Sequence, residues 1–140
     1  MVVLNATQVR KEWSSVVDTV IREKPQFIKR TRDRMFLANI ELLSEFLSAY
    51  TFSAETFTED DGSITLSLNE LDLVENGKNE KEAVNKLAEA IYEYAEEYYN
   101  DFAYWSRGNR TSHKPYVFKA LALGSVGEIG EQILCRRGKI

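Results

Sequence analysis

The sequence predicts an α+β chain in three parts: a β-α-β-β-α module over residues 1–48, a βββα module over 49–102, and a C-terminal extension over 103–140. Three observations predict it. Apolar residues recur at helical spacing between Val9 and Val20. Two β-type runs flank a basic turn between Gln26 and Ile40. An Asp61-Gly62 turn joins alternating strands that lead into a long, capped helix.

The first helix starts at Asn5, whose side chain can cap it while Gln8 reaches back. Val9, Trp13, Val16, Val17 and Val20 form its apolar stripe. It fades near Glu23-Lys24, because Lys24 precedes Pro25 and is pushed toward extended geometry. Strands are expected over Gln26 to Arg30 and Met35 to Ile40, around a turn of Thr31-Arg32-Asp33-Arg34. A short amphipathic helix follows from Glu41 to Leu47, with Leu42, Leu43, Phe46 and Leu47 apolar.

The second module opens with a Thr- and aromatic-rich strand from Tyr50 to Thr58, then the Glu59-Asp60-Asp61-Gly62 turn. Ser63 to Leu68 alternates, with Ile64, Leu66 and Leu68 on one face. A third strand over Leu71 to Glu75 is closed by Asn76-Gly77. Asn79 and Glu82 form a capping box for the long helix, whose stripe is Ala83, Leu87, Ala90, Ile91, Tyr94 and Tyr98. In the extension, Tyr104-Trp105 can pack back on a module or insert into a partner. Residues 107–115 have loop composition, and Tyr116 to Leu123 suits a strand or a helix. A short helix is expected to end at Glu131 to Leu134.

At 140 residues, 44% apolar and 29% charged, the chain has ordinary globular composition. Each half alone is small and gains from oligomerisation. With no long apolar run and no basic-then-apolar leader, no membrane span and no export are expected. The single Cys135 excludes an internal disulfide framework and suits a reducing cytoplasm. Its neighbours Arg136 and Arg137 could lower its pKa, but no base accompanies it. His113 stands without Ser, Cys or a second His and reads as a loop residue. There is no phosphate loop and no zinc spacing, so no metal, cofactor or catalytic residue is assigned.

Charge is distributed unevenly. Residues 1–40 carry eight cations against four carboxylates, a net +4, in a chain of net −4. Tyr50 to Phe102 carries three against fourteen, a net −11. From Ala103 onward seven stand against two, a net +5. A projecting basic hairpin can bring guanidinium groups to phosphates with little burial. An acidic middle suits a basic protein partner or solubility.

Asn5 to Ser14 resembles the opening helix of the prevent-host-death/YefM antitoxins, and Pro25 to Arg30 resembles their second strand, which ends in a basic residue. Met35 to Ile40 and Leu42 to Phe46 resemble their third strand and second helix. The match covers about a third of the chain and departs at the turn, where the family usually has Gly after the basic residue. It implies a homodimer, or a higher homo-oligomer, on a palindromic operator, with Arg10 and Arg30 on the DNA. Charge and position add Lys29, Arg32 and Arg34 as DNA-binding candidates. The bland reading of the same residues is a solvated basic surface of a folding unit.

Asp61 to Leu66, Asn69-Glu70-Leu71 and Asn76 to Ala83 resemble the HicB-like antitoxin domain, of reduced ribonuclease-H-like shape. The Pro and Gly usual between its second and third strands are replaced by Asn69-Glu70. Nuclease chemistry on that shape needs carboxylates converging on two metals roughly 4 Å apart. Asp60 and Asp61 sit in a turn and Asp72 stands alone, so no enzyme is expected. The expectation is a cytoplasmic type II antitoxin that represses its own operator as a dimer. Its later part would neutralise a cognate toxin that cleaves RNA. The alternative is a protein-interaction module that binds no DNA and whose basic turn is merely solvated.

Overall fold

A computed structural model describes residues 2–138, which divide between Phe46 and Leu47 into two compact units. The first unit runs β1 (Leu4–Asn5), α1 (Ala6–Lys11), α2 (Trp13–Arg22), β2 (Gln26–Arg30), β3 (Asp33–Leu37) and α3 (Ile40–Phe46). Its sheet has the order β1-β2-β3, with β1 parallel to β2 (Leu4 opposite Ile28) and β3 antiparallel to it. Val9, Val16, Val20 and Ile28 form the core, with Leu4, Ala6 and Leu37 packed against it.

The first helix is two helices. Asn5 caps α1 as expected, but its side chain accepts from the Thr7 N–H at 2.9 Å rather than pairing with Gln8. Glu12, at φ −114° and ψ 33°, leaves the helical region and separates α1 from α2. Trp13 therefore opens α2 and is exposed, instead of sitting within a continuous stripe. The helix ends at Arg22, where Glu23 and Lys24 both donate to the Thr19 carbonyl just ahead of Pro25.

β2 has the expected bounds, whereas β3 begins two residues earlier than its hydrophobicity suggested. Arg30 is paired with Asp33, so only Thr31 and Arg32 make the turn. Two-residue hairpin turns require positive φ, and Thr31 supplies it at 54° in place of a glycine. α3 is capped by the Asn39 carboxamide, which accepts from Glu41 at 3.1 Å. None of its residues is buried.

The second unit runs β4 (Phe52–Thr58), β5 (Ile64–Leu68), β6 (Leu73–Gly77), α4 (Glu80–Asn100), α5 (Phe102–Trp105), a 3-10 turn (Gly108–His113), α6 (Lys114–Leu123), α7 (Val126–Gln132) and β7 (Ile133–Arg137). Its sheet has the order β6-β5-β4-β7, antiparallel except for β7, which lies parallel to β4 with Phe52 opposite Ile133. Residues 103–138, expected as an extension, are thus part of this unit. β7 completes the sheet and α6 and α7 cover α4. Phe52, Leu66, Leu68, Leu71, Leu87, Ile91, Tyr98, Val117 and Ile129 are the large residues of one fully buried core.

The Asp-Gly turn forms as expected. The Asp61 carboxylate accepts from both the N–H (2.9 Å) and the hydroxyl (2.6 Å) of Ser63, which holds its pKa below the usual value, and Gly62 takes φ +85°. β6 lies two residues later than expected, because Asn69 to Asp72 form the turn before it, with Asp72 at φ 55°. Gly77 is consequently a buried strand residue, not a turn residue. A Cβ there would meet the Glu82 carbonyl carbon at 2.8 Å and Ala83 Cα at 2.9 Å, so only glycine lets β6 run this close to α4. The Asn79 side chain accepts from Glu82 at 2.9 Å, and Glu82 in turn accepts from the Lys78 N–H at 3.2 Å. Residues 116–123 are helical, started by Pro115 in the first turn and stopped by Gly124 at φ 82°.

Candidate nucleic-acid interface

The basic hairpin follows from strand alternation. Ile28 turns into the core with Leu4, which puts Phe27 and Lys29 on the opposite face of β2. Register then places Phe36 opposite Phe27 and Arg34 opposite Lys29 on that same face. The Phe27 and Phe36 rings meet at 5.0 Å, and the Arg34 guanidinium lies 5.8 Å from the Phe27 ring centre. Lys29, Arg30, Arg32 and Arg34 are all exposed, and among the described residues none makes an ion pair. Arg30 does not close on Asp33 even though the two are paired across the ladder.

Arg10 lies in the last turn of α1, where a cation also suits the helix dipole. It borders an open groove of about 630 Å³ whose walls include Val9, Trp13, Met35 and Phe36. A second hollow of about 280 Å³ lies between Phe36 and the α3 residues Ile40, Leu43 and Phe46. Trp13 is 53% exposed, Met35 49%, Phe36 47%, Ile40 55% and Phe46 63%, a large apolar surface for so small a unit. The structure thus gathers Lys29, Arg30, Arg32 and Arg34 on one hairpin and sets Arg10 on the helix beside it.

Two residues behave differently from their sequence reading. His113 is 4% exposed rather than a loop residue. Its Nδ1 lies 2.6 Å from Tyr94 Oη, and its Nε2 lies 3.8 Å from the Asp72 carboxylate. Arg110 donates to Tyr94 Oη at 3.0 Å, so the Tyr94 hydroxyl hydrogen is free to donate to Nδ1. Burial pushes the His113 pKa down, partly opposed by Asp72. The sequence signal is helical spacing, which sets Tyr94 and Tyr98 in the apolar stripe and names no partner for their hydroxyls. Cys135 is the second. Burial, with a hydrogen bond to Glu80, raises its pKa, so the neighbouring Arg136 and Arg137 do not lower it. Arg136 instead faces Glu55, at 3.4 Å.

Among the described residues no group of three or more His, Cys, Asp or Glu could hold a metal ion, and no helix is long and apolar enough to cross a membrane.

Residues 1–135 match the model of a PHD-like family described as the antitoxin of a RelE/RelB toxin–antitoxin system. The chain belongs to this antitoxin family. The match extends through both units, far beyond the third of the chain that carried the YefM resemblance. A crystal structure from Syntrophomonas wolfei subsp. wolfei, described as the antitoxin part of a proposed toxin/antitoxin system, superposes with a TM-score of 0.90 at 34% identity. The similarity covers 99% of this chain and 100% of that one. No curated protein matches the chain. As an antitoxin, the protein has a toxin as its partner.

Proposed function

We propose that this antitoxin binds operator DNA as a homodimer, through Arg10, Lys29, Arg30, Arg32 and Arg34 of each first unit, and represses its own operon. The observation that carries the reading is a hairpin with four exposed cations and, among the described residues, no carboxylate closing on any of them. Such charge remains available to phosphates, where it releases counterions and gives salt-dependent affinity. The apolar groove and the bare faces of β3 and α3 supply a surface for the second copy, which would present two hairpins to a palindrome.

The second unit is proposed to be the HicB-like module and to hold the toxin, expected to cleave RNA. Supporting the HicB-like reading, three antiparallel strands run directly into the long capped helix α4. Supporting the assignment to the toxin, the acidic balance of residues 50–102 would complement a basic partner. The protein is proposed to act by binding, in the cytoplasm, and not by catalysis.

Gel shift of the upstream DNA of this gene, with sedimentation of the free protein, tests the reading. A dimer that forms a salt-sensitive complex, weakened by Arg30→Ala and by Arg10→Ala, is expected. A monomer with no complex at low salt would instead support the solvated-turn alternative.

A further inference from the structure

The second unit carries a cleft built from none of the residues assigned to operator binding. It encloses about 520 Å³ between α5 and the 3-10 turn, and its walls include Tyr104, Trp105, Arg107, Asn109 and Arg110. That volume lies in the range of small-molecule sites. Its chemistry is specific. Tyr104 is 70% exposed, and its ring stands almost perpendicular to Trp105, with centroids 5.3 Å apart. Arg107 and Arg110 make no ion pair among the described residues. Gly108, at φ +66°, leaves open space where a side chain would stand.

Arg110 is already oriented. One of its terminal nitrogens donates to Tyr94 Oη, and its guanidinium lies 5.1 Å from the Trp105 ring centre and 5.7 Å from that of Tyr94. Tyr98 fixes the backbone at the same place by donating to the Arg110 carbonyl at 2.7 Å. The remaining N–H donors of the Arg110 guanidinium have no protein partner among the described residues. A preformed guanidinium fork beside a second arginine is suited to a phosphate. A broad exposed ring next to it is suited to a planar base, because base–aromatic stacking tolerates every base. An acidic peptide would meet the two charges but leave the Tyr104 face unused.

We propose that this cleft binds a nucleotide, with the base stacked on Tyr104 and the phosphate held by Arg107 and Arg110. The same chemistry is offered by a free mononucleotide and by one residue of single-stranded RNA. The site is independent of the hairpin and stands whether or not the first unit binds DNA.

The test is a titration of the full-length, isotope-labelled protein with adenosine 5′-monophosphate, adenosine, inorganic phosphate, an adenine hexaribonucleotide and a glutamate-rich peptide, followed by amide chemical shifts. Saturable shifts confined to residues 104–110 are expected with the monophosphate, and affinity at least about tenfold lower for adenosine and for phosphate alone. Tyr104→Ala and Arg107→Ala should each weaken binding by about tenfold. Both side chains are exposed, and Tyr104→Leu, which keeps bulk without a ring, should repeat the first result. A hexanucleotide that binds about tenfold more tightly than the monophosphate identifies RNA as the source, and equal affinity identifies the free nucleotide. No shift at 104–110 with millimolar monophosphate or with the hexanucleotide would overturn the proposal. So would unchanged affinity in all three variants, or tighter binding of the acidic peptide at the same residues.

Discussion

Lys29 stands directly opposite Arg34 across the β2–β3 ladder, a like-charged pair on the face away from the core. Facing cations in an antiparallel pair are destabilising, by up to about 1 kcal/mol. A bound phosphate would reverse the sign. Lys29→Gln is therefore expected to do two opposite things. It should stabilise the free first unit by about 0.5 kcal/mol. It should also weaken operator binding and reduce the salt slope by roughly one. Denaturant titration and salt-dependent gel shift measure the two. Loss of both stability and affinity would mean that the pair is structural.

Thr31 holds a left-handed backbone conformation in the two-residue turn. For a β-branched residue this costs of the order of 1 kcal/mol or more. Thr31→Gly should stabilise β2 and β3 by about 1 kcal/mol, read as slower amide exchange in those strands, after allowing for the greater freedom of glycine in the unfolded chain. Unchanged or faster exchange would show that the turn is not strained.

Gly77 lets β6 run against the start of α4. An alanine methyl would collide with backbone, which has no rotamer by which to yield. Gly77→Ala should destabilise the second unit by about 3 kcal/mol, at the upper end for overpacking. Thermal unfolding checks it. A change within error would show that strand and helix separate easily.

His113 gives the second unit a pH dependence of known sign. Burial lowers its folded pKa below the ordinary 6.5, so in the interval beneath 6.5 the unfolded chain binds a proton that the folded chain does not. Stability must therefore fall as pH drops through that interval. The thermal midpoint should decrease from about pH 7.5 to about pH 5.5, and the decrease should shrink in His113→Gln. Asp72→Asn removes the one neighbouring charge that favours protonation and should steepen it. An identical decrease in all three proteins would assign the effect to other groups.

Much of the fold was legible because local signals and tertiary packing agreed. The Asn79 cap, the Asp61-Gly62 turn, the bounds of β2 and the burial of Ala83, Leu87, Ile91 and Tyr98 on α4 each follow from residues a few positions apart, whereas Ala88 and Ala95 are buried in place of the expected Ala90, and Tyr94 is only half-buried. The displaced strands show where local reading stops. Hydrophobicity placed β3 over Met35 to Ile40, but the ladder begins at Asp33, because the turn needs only two residues. Glu12 carries no breaker signal, yet it divides the first helix. The segment after residue 102 was unreadable for another reason. β7 is defined by a neighbour 81 positions away, and no local pattern encodes that pairing. Of the candidate interface, the YefM resemblance supplied Arg10 and Arg30, and charge and turn position added Lys29, Arg32 and Arg34. Which of them share a face, and that they stay clear of carboxylates, required the register.

The distant pairing of β7 has a consequence for the newborn protein. Until the ribosome has delivered residue 137, β4 lacks its parallel neighbour and keeps one row of amides and carbonyls vacant. Such a row is a template for any passing strand. Until β7 is in place, that open edge of β4 is where a partly synthesised chain would pair wrongly with another.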